Sequence, residues 1–255
     1  LLLPGALRRR AVLRVLTLHT IEAVSETGST NPDLADRLRS GASVPEGNWL
    51  IADRQVAGRG RQGRAWFDGA GNFMGSTVVH PLESNPPPQT LALVAGLALY
   101  EACFTLCPDP TALSLKWPND LLYGRAKAAG ILLEGQSGAV IVGIGVNLAA
   151  APDLPDRETI TFASLGPKPD RDAFAGNLAS CFATELDRWR TYGLDTILHR
   201  WTRVAHPMGA KLSVHDPDGT RLSGSFAGLG TDGSLTLRLA DGSTRAIHAG
   251  EVTLN

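Results

Sequence analysis

The chain has 255 residues, of which 43% are hydrophobic and 19% charged, a composition that argues against disorder and allows one large core with a small additional unit. Its net charge of -1 excludes a general basic surface that would hold nucleic acid by its phosphates. The cysteines Cys103, Cys107 and Cys181 are odd in number and contain no C-x-x-C pair, which argues against a disulfide framework and a zinc site and fits a reducing cytoplasm.

Residues 1–19 are predicted to form an N-terminal extension. This segment contains four arginines and no acidic residue, which leaves an organelle-targeting peptide as an alternative. A secretory signal fits less well, because the leucines precede the arginines instead of following them.

The first predicted helix begins beside Ser29 and Thr30. Asn31 is expected to cap it, Pro32 to occupy its first turn and Gly41 to end it. Apolar, β-prone stretches then predict the strands of one mixed sheet: Trp49–Ala52, Phe73–Val79, Leu113–Trp117, Ile131–Leu133 and Val140–Val146.

Two further helices are predicted to cover this sheet. The apolar run near 91–106 is interrupted by Glu101 and is shorter than the roughly 20 residues that span a bilayer, so we expect a buried helix and no membrane anchor. The other helix runs from Asp170 to Tyr192 and ends at Gly193. Residues 20–206 are therefore predicted to form one α/β (α+β) domain.

The pattern changes after Pro207 to short alternating runs: Lys211–Val214, Leu222–Phe226, Leu235–Leu239 and Arg245–His248. Turn signals occur at Asp218-Gly219, Asp232-Gly233 and Asp241-Gly242. Residues 207–255 are therefore predicted to form a small β-barrel.

Three arginines and three glycines stand together in Gly58–Arg64, with no acidic residue between Asp53 and Asp68. Glycines let the backbone approach a ligand closely, and guanidinium groups bind phosphate or carboxylate oxygens in pairs. The segment predicts a loop that binds a polyanion. A flexible basic surface loop is the alternative.

The same loop satisfies the G-x-G-x-x-G spacing of a dinucleotide-binding turn. That turn requires a helix directly after it, whereas Arg64-Ala65-Trp66-Phe67-Asp68-Gly69 follows here. The chain also lacks a G-x-x-x-x-G-K-[ST] motif. We therefore expect neither a Rossmann-type site nor a P-loop.

A second polar cluster, Lys116-Trp117-Pro118-Asn119-Asp120, closes an apolar strand. Pro118 favours an extended Trp117, and the Asn-Asp pair favours a turn. A lysine at the end of a strand can present a fixed cation to a site. An ordinary surface lysine is the alternative.

Together these segments resemble the biotin protein ligase family. The residues that carry the resemblance occur in the family's order and spacing: Ser29-Thr30-Asn31, Gln55, Gly58–Arg64, Trp66, Lys116–Asp120, Lys127–Leu132, Gly143–Asn147 and Gly250–Leu254. The arginine loop and the K-W-P-N-D segment are its specific parts. The G-x-G-x-N segment alone would be weak.

The resemblance implies a mixed-sheet catalytic domain of the class II synthetase-like biotin/lipoate ligase type, followed by a small SH3-like β-barrel. It also implies a ligase that uses ATP to form biotinyl-5′-AMP with release of pyrophosphate, and then transfers biotin to a carrier lysine. Arg61 and Lys116 are expected to be catalytic, because cations must neutralise the biotin carboxylate and the α-phosphate as they meet.

The resemblance also implies two sets of binding residues. Biotin is expected to bind to Ser29, Thr30, Asn31, Gln55, Arg59, Gly60, Arg61, Lys116, Gly143 and Gly145. ATP is expected to bind to Arg59, Arg61, Arg64, Trp66, Lys116, Lys127 and Asn147, with Trp66 stacked on adenine. The alternatives are structural: helix capping by Ser29 and Thr30, tight strand packing at Gly143 and Gly145, and a core position for Trp66.

Mg²⁺ is expected to arrive with ATP, and no histidine forms a metal motif. The implied partner is the biotin carboxyl carrier protein or domain of acetyl-CoA carboxylase in the cytoplasm, and a homodimer stays open. Family members that are also repressors carry a helix-turn-helix domain before the catalytic domain. Because 28 residues precede Ser29, we expect no such domain and no DNA binding.

Two other functions stay open. A lipoate protein ligase shares the fold and the adenylation strategy, but the arginine loop and the K-W-P-N-D segment favour biotin. A binding module without enzymatic activity would account for the small β-barrel, but it has no need for clustered cations. The decisive expectation is that Lys116 and Gly58–Arg64 share one cleft.

Overall fold

A computed structural model describes residues 19–215 and 220–254. Its larger sheet contains β1 (Ile21–Val24), β2 (Trp49–Ala52), β3 (Phe73–Val79), β4 (Leu113–Lys116), β5 (Asp120–Tyr123), β6 (Ala126–Gln136) and β7 (Ala139–Val146). The strand order is β1-β2-β3-β7-β6-β5-β4. β1 is parallel to β2 and every other neighbouring pair is antiparallel, which confirms the predicted mixed sheet.

Strands β2 and β3 have the predicted bounds, whereas β1 and β5 were not predicted and β6 is longer than expected. Lys116 and Asp120 face each other across the β4–β5 hairpin, so the predicted turn is a tight connection between two paired strands. The Trp117–Pro118 peptide bond in this turn is cis. The hairpin places Lys116 and Asp120 at one end of the sheet.

Helices cover both faces of the sheet. On one face α1 (Thr30–Arg39) packs Leu34 against Leu50, Val78 and Ile141. On the other face, α2 (Leu91–Phe104) and α3 (Arg171–Arg203) form the main core. The helices on the two faces confirm the predicted α/β class and bury the apolar side chains of the sheet.

Two helix bounds differ from their predictions. α1 begins at Thr30, so Ser29 rather than Asn31 occupies the capping position, and the Ser29 side chain makes no capping hydrogen bond. α3 does not end at Gly193. The chain kinks there, with φ of 76°, and the helix resumes because Ile197 and Trp201 still have core to bury.

The second sheet contains β8 (Lys211–His215), β9 (Arg221–Leu229), β10 (Leu235–Arg238), β11 (Thr244–Ile247) and β12 (Glu251–Leu254). The order is β11-β10-β9-β8-β12, all antiparallel, which confirms the predicted all-β unit. Closure into a barrel stays a prediction. The predicted extension, apart from residue 19, and the Asp218-Gly219 turn lie outside the described residues.

The second sheet packs directly against the K-W-P-N-D segment. Trp117 is buried and its Nε1 donates a hydrogen bond of 3.1 Å to the Gly233 carbonyl. Phe226 of β9 belongs to the same hydrophobic core as Leu115 of β4, and it contacts the buried His206 ring edge-on. These contacts bring β12 next to the end of β4.

No helix within residues 19–215 and 220–254 combines the length and hydrophobicity that a membrane crossing requires.

Candidate active site

A cavity of about 560 Å³ lies between the start of α1, the loop after β2, strands β4 to β7, and β12. Most of the predicted site residues line it: Ser29, Thr30, Asn31, Gln55, Arg59, Gly60, Arg61, Arg64, Trp66, Lys116, Lys127, Gly143 and Asn147. Gly145 does not line it. The cavity therefore brings together segments that are far apart in sequence.

The Gly58–Arg64 loop is an ordered turn beside this cavity. The Trp66 N–H donates to the Gly58 carbonyl at 2.9 Å, and the Gly60 N–H donates to the Arg64 carbonyl at 2.7 Å. Gln62 and Gly63 have positive φ, 57° and 73°, at the tip. The chain returns as a hairpin and no helix follows directly, so the loop does not have the geometry of a dinucleotide-binding turn.

The arginine loop and the K-W-P-N-D segment meet. Arg61 Nη1 donates to Asn119 Oδ1 at 3.0 Å, and Arg61 Nη2 donates to the Gly250 carbonyl at 3.3 Å. Burial lowers the pKa of Arg61, but a guanidinium keeps its charge. Lys116 lines the same cavity, which confirms the expected shared cleft.

Arg59 differs from Arg61 in having no partner. Its side chain is exposed at the cavity wall and makes no hydrogen bond or ion pair with the described residues. Its charge is therefore available to an anionic ligand without breaking an existing contact.

Asp120 is a buried carboxylate between two lysines. Lys116 Nζ lies 2.9 Å from Asp120 Oδ2, and Lys127 Nζ lies 2.6 Å from Asp120 Oδ1. Burial raises the pKa of Asp120, but the charges of Lys127 and Lys116 and their hydrogen bonds outweigh it and lower the pKa to about 2. The carboxylate is therefore ionised and holds both ammonium groups at the cavity wall.

Trp66 and its neighbours form one end of the cavity. A Cβ at Gly145 would lie 2.2 Å from the Trp66 ring, and one at Gly130 would lie 3.1 Å from it. The missing side chain of Gly145 therefore accommodates Trp66, and the contact of Gly145 with biotin stays a prediction. Lys127 Nζ lies 5.7 Å from the centre of the indole. The buried Asn147 Oδ1 accepts no hydrogen bond from the described residues.

The other end of the cavity is a hydrogen-bonded row, the polar floor, formed by Gln55, Thr30, Ser76, Asn31 and Glu134. Gln55 Oε1 accepts from the Thr30 N–H at 2.7 Å, and Thr30 Oγ1 lies 2.6 Å from Ser76 Oγ. Ser76 Oγ donates to Asn31 Oδ1 at 2.6 Å, and Asn31 Nδ2 donates to Glu134 Oε2 at 2.6 Å. The row places polar groups on an otherwise apolar sheet.

Ser29 and Gly143 complete this end. The Ser29 hydroxyl is not used to cap α1, so helix capping does not account for it. A Cβ at Gly143 would lie 2.4 Å from Asn31 Oδ1. Gly143 is therefore required for the position of the Asn31 amide.

A carboxylate of the second sheet closes the cavity. Glu251 Oε1 accepts from Arg64 Nη1 at 2.6 Å and from Arg157 Nη2 at 3.2 Å. The hydrogen bond from Arg64 is the main cause that lowers the pKa of Glu251. Two loops connected to the larger sheet are thus joined through one residue of β12.

Several site residues were not assigned a role from the sequence: Ser76, Asn119, Asp120, Glu134, Arg157 and Glu251. Asn119, Asp120 and Glu251 lay within the recognised segments, and Ser76 was a polar residue in an apolar strand. Arg157 had no sequence signal, because its role depends only on its position beside β12. In the part of the chain that the structure describes, no group of three or more His, Cys, Asp or Glu residues is placed to hold a metal ion.

The comparisons with known proteins identify the family. Residues 25–149 match the model of the Biotin/lipoate A/B protein ligase family. The chain is 37% identical over 241 residues to a biotin–[acetyl-CoA-carboxylase] ligase of Paracoccus denitrificans, which covers 90% of this chain and 98% of that protein. The chain belongs to the biotin protein ligase family.

Other members of the biotin protein ligase family agree with this assignment. A biotin–[acetyl-CoA-carboxylase] ligase of Mycobacterium tuberculosis is 34% identical over 238 residues, which cover 91% of this chain and 88% of that protein. The structure of the Aquifex aeolicus biotin protein ligase, in complex with biotin and ATP, has a TM-score of 0.81 and 26% identity, covering 92% and 98% of the two chains. The recognised family and fold are confirmed.

Proposed function

We propose that this chain is an ATP-dependent biotin protein ligase whose acceptor is a lysine of the biotin carboxyl carrier protein or domain of acetyl-CoA carboxylase. One observation carries the proposal: Arg61 and Lys116, from separate segments, line one cavity, where Arg61 is hydrogen-bonded to Asn119. The relatives of Paracoccus denitrificans and Mycobacterium tuberculosis are named for this activity, and the Aquifex aeolicus protein binds biotin and ATP.

The polar floor is the proposed site of the biotin ureido ring. Burying this polar ring is costly unless its N–H and carbonyl groups find partners. Ser29, Thr30, Asn31 and Gln55 present hydroxyl and amide groups there. Gly143 lines the cavity beside them, and the fused ring and its tail are proposed to extend from the floor past this residue towards Lys116.

The opposite end is the proposed nucleotide site. Trp66 offers an aromatic face for adenine, and the unpartnered Asn147 Oδ1 is an acceptor for the exocyclic amine of the base. Arg64 and Lys127 are proposed to contact the phosphates. This arrangement places the α-phosphate between the two ends of the cavity.

The first step joins the biotin carboxylate to that phosphate. A carboxylate oxygen attacks the α-phosphorus, the bond from that phosphorus to the bridging oxygen breaks, and pyrophosphate leaves. Arg59, Arg61 and Lys116 neutralise the two anions as they approach, and Gly60, which has no side chain, lets the loop come close to the ligand. Mg²⁺ enters as part of the MgATP substrate.

The second step transfers the acyl group. The amine of the carrier lysine attacks the biotinyl carbonyl, the bond to the phosphate oxygen breaks, and AMP leaves while the amine loses its proton to solvent. Water must stay away from the mixed anhydride until then. We propose that Gly58–Arg64 folds further over the adenylate, with its glycines as hinges.

The wider setting is part of the same proposal. The catalytic domain comprises residues 20–206 and the SH3-like β-barrel residues 207–255. We place the enzyme in the cytoplasm, which agrees with free thiols at Cys103, Cys107 and Cys181. A homodimer stays a prediction.

Biotin-dependent exchange between ATP and pyrophosphate tests the activity. We expect biotin, and not lipoate, to drive exchange, and Arg61→Ala to lower its rate about 10²- to 10³-fold, the usual effect of removing one charge-stabilising donor. The matched control is Arg39→Ala, an exposed arginine of α1. Mass spectrometry of a carrier domain incubated with ATP, Mg²⁺ and biotin measures the transfer. Exchange driven by lipoate alone would reassign the chain to lipoate ligases.

A further inference from the structure

Glu134 belongs to the polar floor but does not line the cavity. It reaches the cavity only through Asn31, whose Nδ2 it accepts at 2.6 Å. We propose that Glu134 is a positioning residue that sets the direction of the hydrogen bonds along the floor, so that Thr30 Oγ1 faces the ligand as an acceptor. The inference rests on the proposed function and adds a determinant of biotin recognition to it.

Glu134 fixes the orientation of the Asn31 amide. A carboxylate only accepts hydrogen bonds, so the amide nitrogen of Asn31 must face Glu134. The amide oxygen then faces Ser76 Oγ at 2.6 Å. Gly143 leaves just enough space for that oxygen, since a Cβ would lie 2.4 Å from it.

The orientation of Asn31 determines where the hydroxyl protons of Ser76 and Thr30 point. Asn31 Oδ1 is an acceptor, so Ser76 must donate its single proton to it. Ser76 therefore accepts from Thr30 at 2.6 Å, which uses the proton of Thr30. No hydroxyl proton is left for the pair of Thr30 Oγ1 and Gln55 Oε1, whose 3.1 Å separation is the longest in the row.

The floor therefore presents one acceptor and one donor to the ligand. With its proton directed to Ser76, Thr30 Oγ1 keeps its lone pairs for an incoming N–H. Gln55 Oε1 already accepts from the Thr30 backbone N–H at 2.7 Å, so its Nε2 is left as a donor. A cyclic urea carries two N–H donors and one carbonyl acceptor, of which one N–H fits Thr30 Oγ1 and the carbonyl fits Gln55 Nε2.

Without an acceptor at position 134 this direction is lost. The Asn31 amide is then free to turn its nitrogen to Ser76, and the protons can run from Ser76 to Thr30 and from Thr30 to Gln55. Thr30 Oγ1 would then accept a hydrogen bond from Ser76, and fewer of its lone pairs would be available to an N–H group of the ligand. The carbonyl of the urea would keep its partner at Gln55, so the defect should fall on the N–H groups of the ligand.

Glu134→Leu tests the inference when biotin is compared with cyclic carbamate analogues in which one ureido N–H is replaced by oxygen. We expect the Kd for biotin, measured by calorimetry, to rise about tenfold, the size of one lost hydrogen bond. The Kd of the carbamate that lacks the N–H bound by Thr30 should change less than twofold. A merely structural role would weaken both ligands alike.

Two further variants sharpen the result. Glu134→Gln should restore the wild-type ratio of the two Kd values only in part, because its amide oxygen can accept from Asn31 but its amide nitrogen can also donate to a turned Asn31. Ser76→Ala interrupts the row and should remove the discrimination even if Glu134→Leu fails to fold. Glu83→Leu, at an exposed loop residue, is the control for the loss of a carboxylate.

The outcomes separate the two claims. Wild-type ratios in both Glu134→Leu and Ser76→Ala would overturn the inference, and so would a Glu134→Gln variant as defective as Glu134→Leu. If the wild-type protein bound no biotin at all, the proposed function itself would fail.

Discussion

Asp120 determines the charge balance of the site. Its carboxylate is shared by Lys116 and Lys127, and its pKa of about 2 lies below the ordinary 3.8. A carboxyl group with a lowered folded pKa stabilises the fold above its unfolded pKa, and this stabilisation disappears as the pH falls through the folded pKa. The window for Asp120 is therefore about pH 4 to pH 2.

We expect Asp120→Asn to lower the free energy of unfolding by about 2 kcal/mol at pH 7, the equivalent of its pKa shift. Urea unfolding at pH 7, 3 and 2 measures this, and the difference from wild type should shrink at the two lower values. Asp36→Asn, an exposed carboxylate of α1, serves as the control. A difference as large at pH 3 as at pH 7 would show that charge is not the cause.

Single residues with unusual chemistry were predictable from the sequence, and their partners were not. Arg61 and Lys116 stood out because clustered cations without acids need a ligand. Glu134 and Ser76 are ordinary strand residues until β6, β3 and α1 are brought together, so their hydrogen bonds to Asn31 and Thr30 could not be foreseen.

At the scale of elements, strand β7 serves both ends of the cavity with two glycines. Side chains two residues apart face the same side of a strand, so Gly143 and Gly145 point in one direction. The first makes room for Asn31 and the second for Trp66. One strand thus supports the proposed biotin and nucleotide sites independently.

Alanine at either glycine should therefore damage one site and spare the other. Gly145→Ala must displace the indole and should raise the KM for ATP at least tenfold, while Gly143→Ala must displace the Asn31 amide and should raise the Kd for biotin by a similar factor. Calorimetry with biotin and exchange kinetics with ATP separate them. Gly135→Ala on β6, where a Cβ meets open space, is the control.

Parallel losses of both ligands in both variants would mean that β7 itself had shifted.

The elements that the sequence predicted well are those whose pattern reflects burial. Phe73–Val79 is fully buried and most residues of Leu91–Phe104 are buried, and both were predicted from stretches in which apolar residues dominate. The four-residue strand β5 begins at the Asp of an Asn-Asp pair that normally marks a loop, so it was not predicted. The last part of α3 follows Gly193, a residue that normally ends a helix. The sequence did not show that Trp201 packs into the core, which is why the helix resumes.

At the scale of the whole molecule, Glu251 joins the two sheets across the cavity. It binds Arg64 from one loop and Arg157 from another, and it is partly exposed. Each ion pair alone contributes little at such a position. Their joint effect is to hold two loops against β12.

Glu251→Gln should free these segments and raise the KM for ATP about threefold to tenfold, with the Kd for biotin nearly unchanged because the polar floor is remote. Hydrogen exchange should become faster in residues 58–64 and 151–159. Glu22→Gln removes an ion pair with Arg37 on the surface and should have no such effect. Unchanged exchange in both segments would contradict the role assigned to Glu251.

Because Trp117 and the second sheet share one core, the two sheets cannot be exchanged between relatives as separate parts. A chimaera that took residues 207–255 from a relative would set foreign side chains against Trp117 and Leu115, directly behind Lys116. Such a graft would lower the activity because the side chains packed behind Lys116 no longer fit, although every residue that lines the larger-sheet part of the cavity is unchanged. A transplant should include the β4–β5 hairpin along with the small sheet.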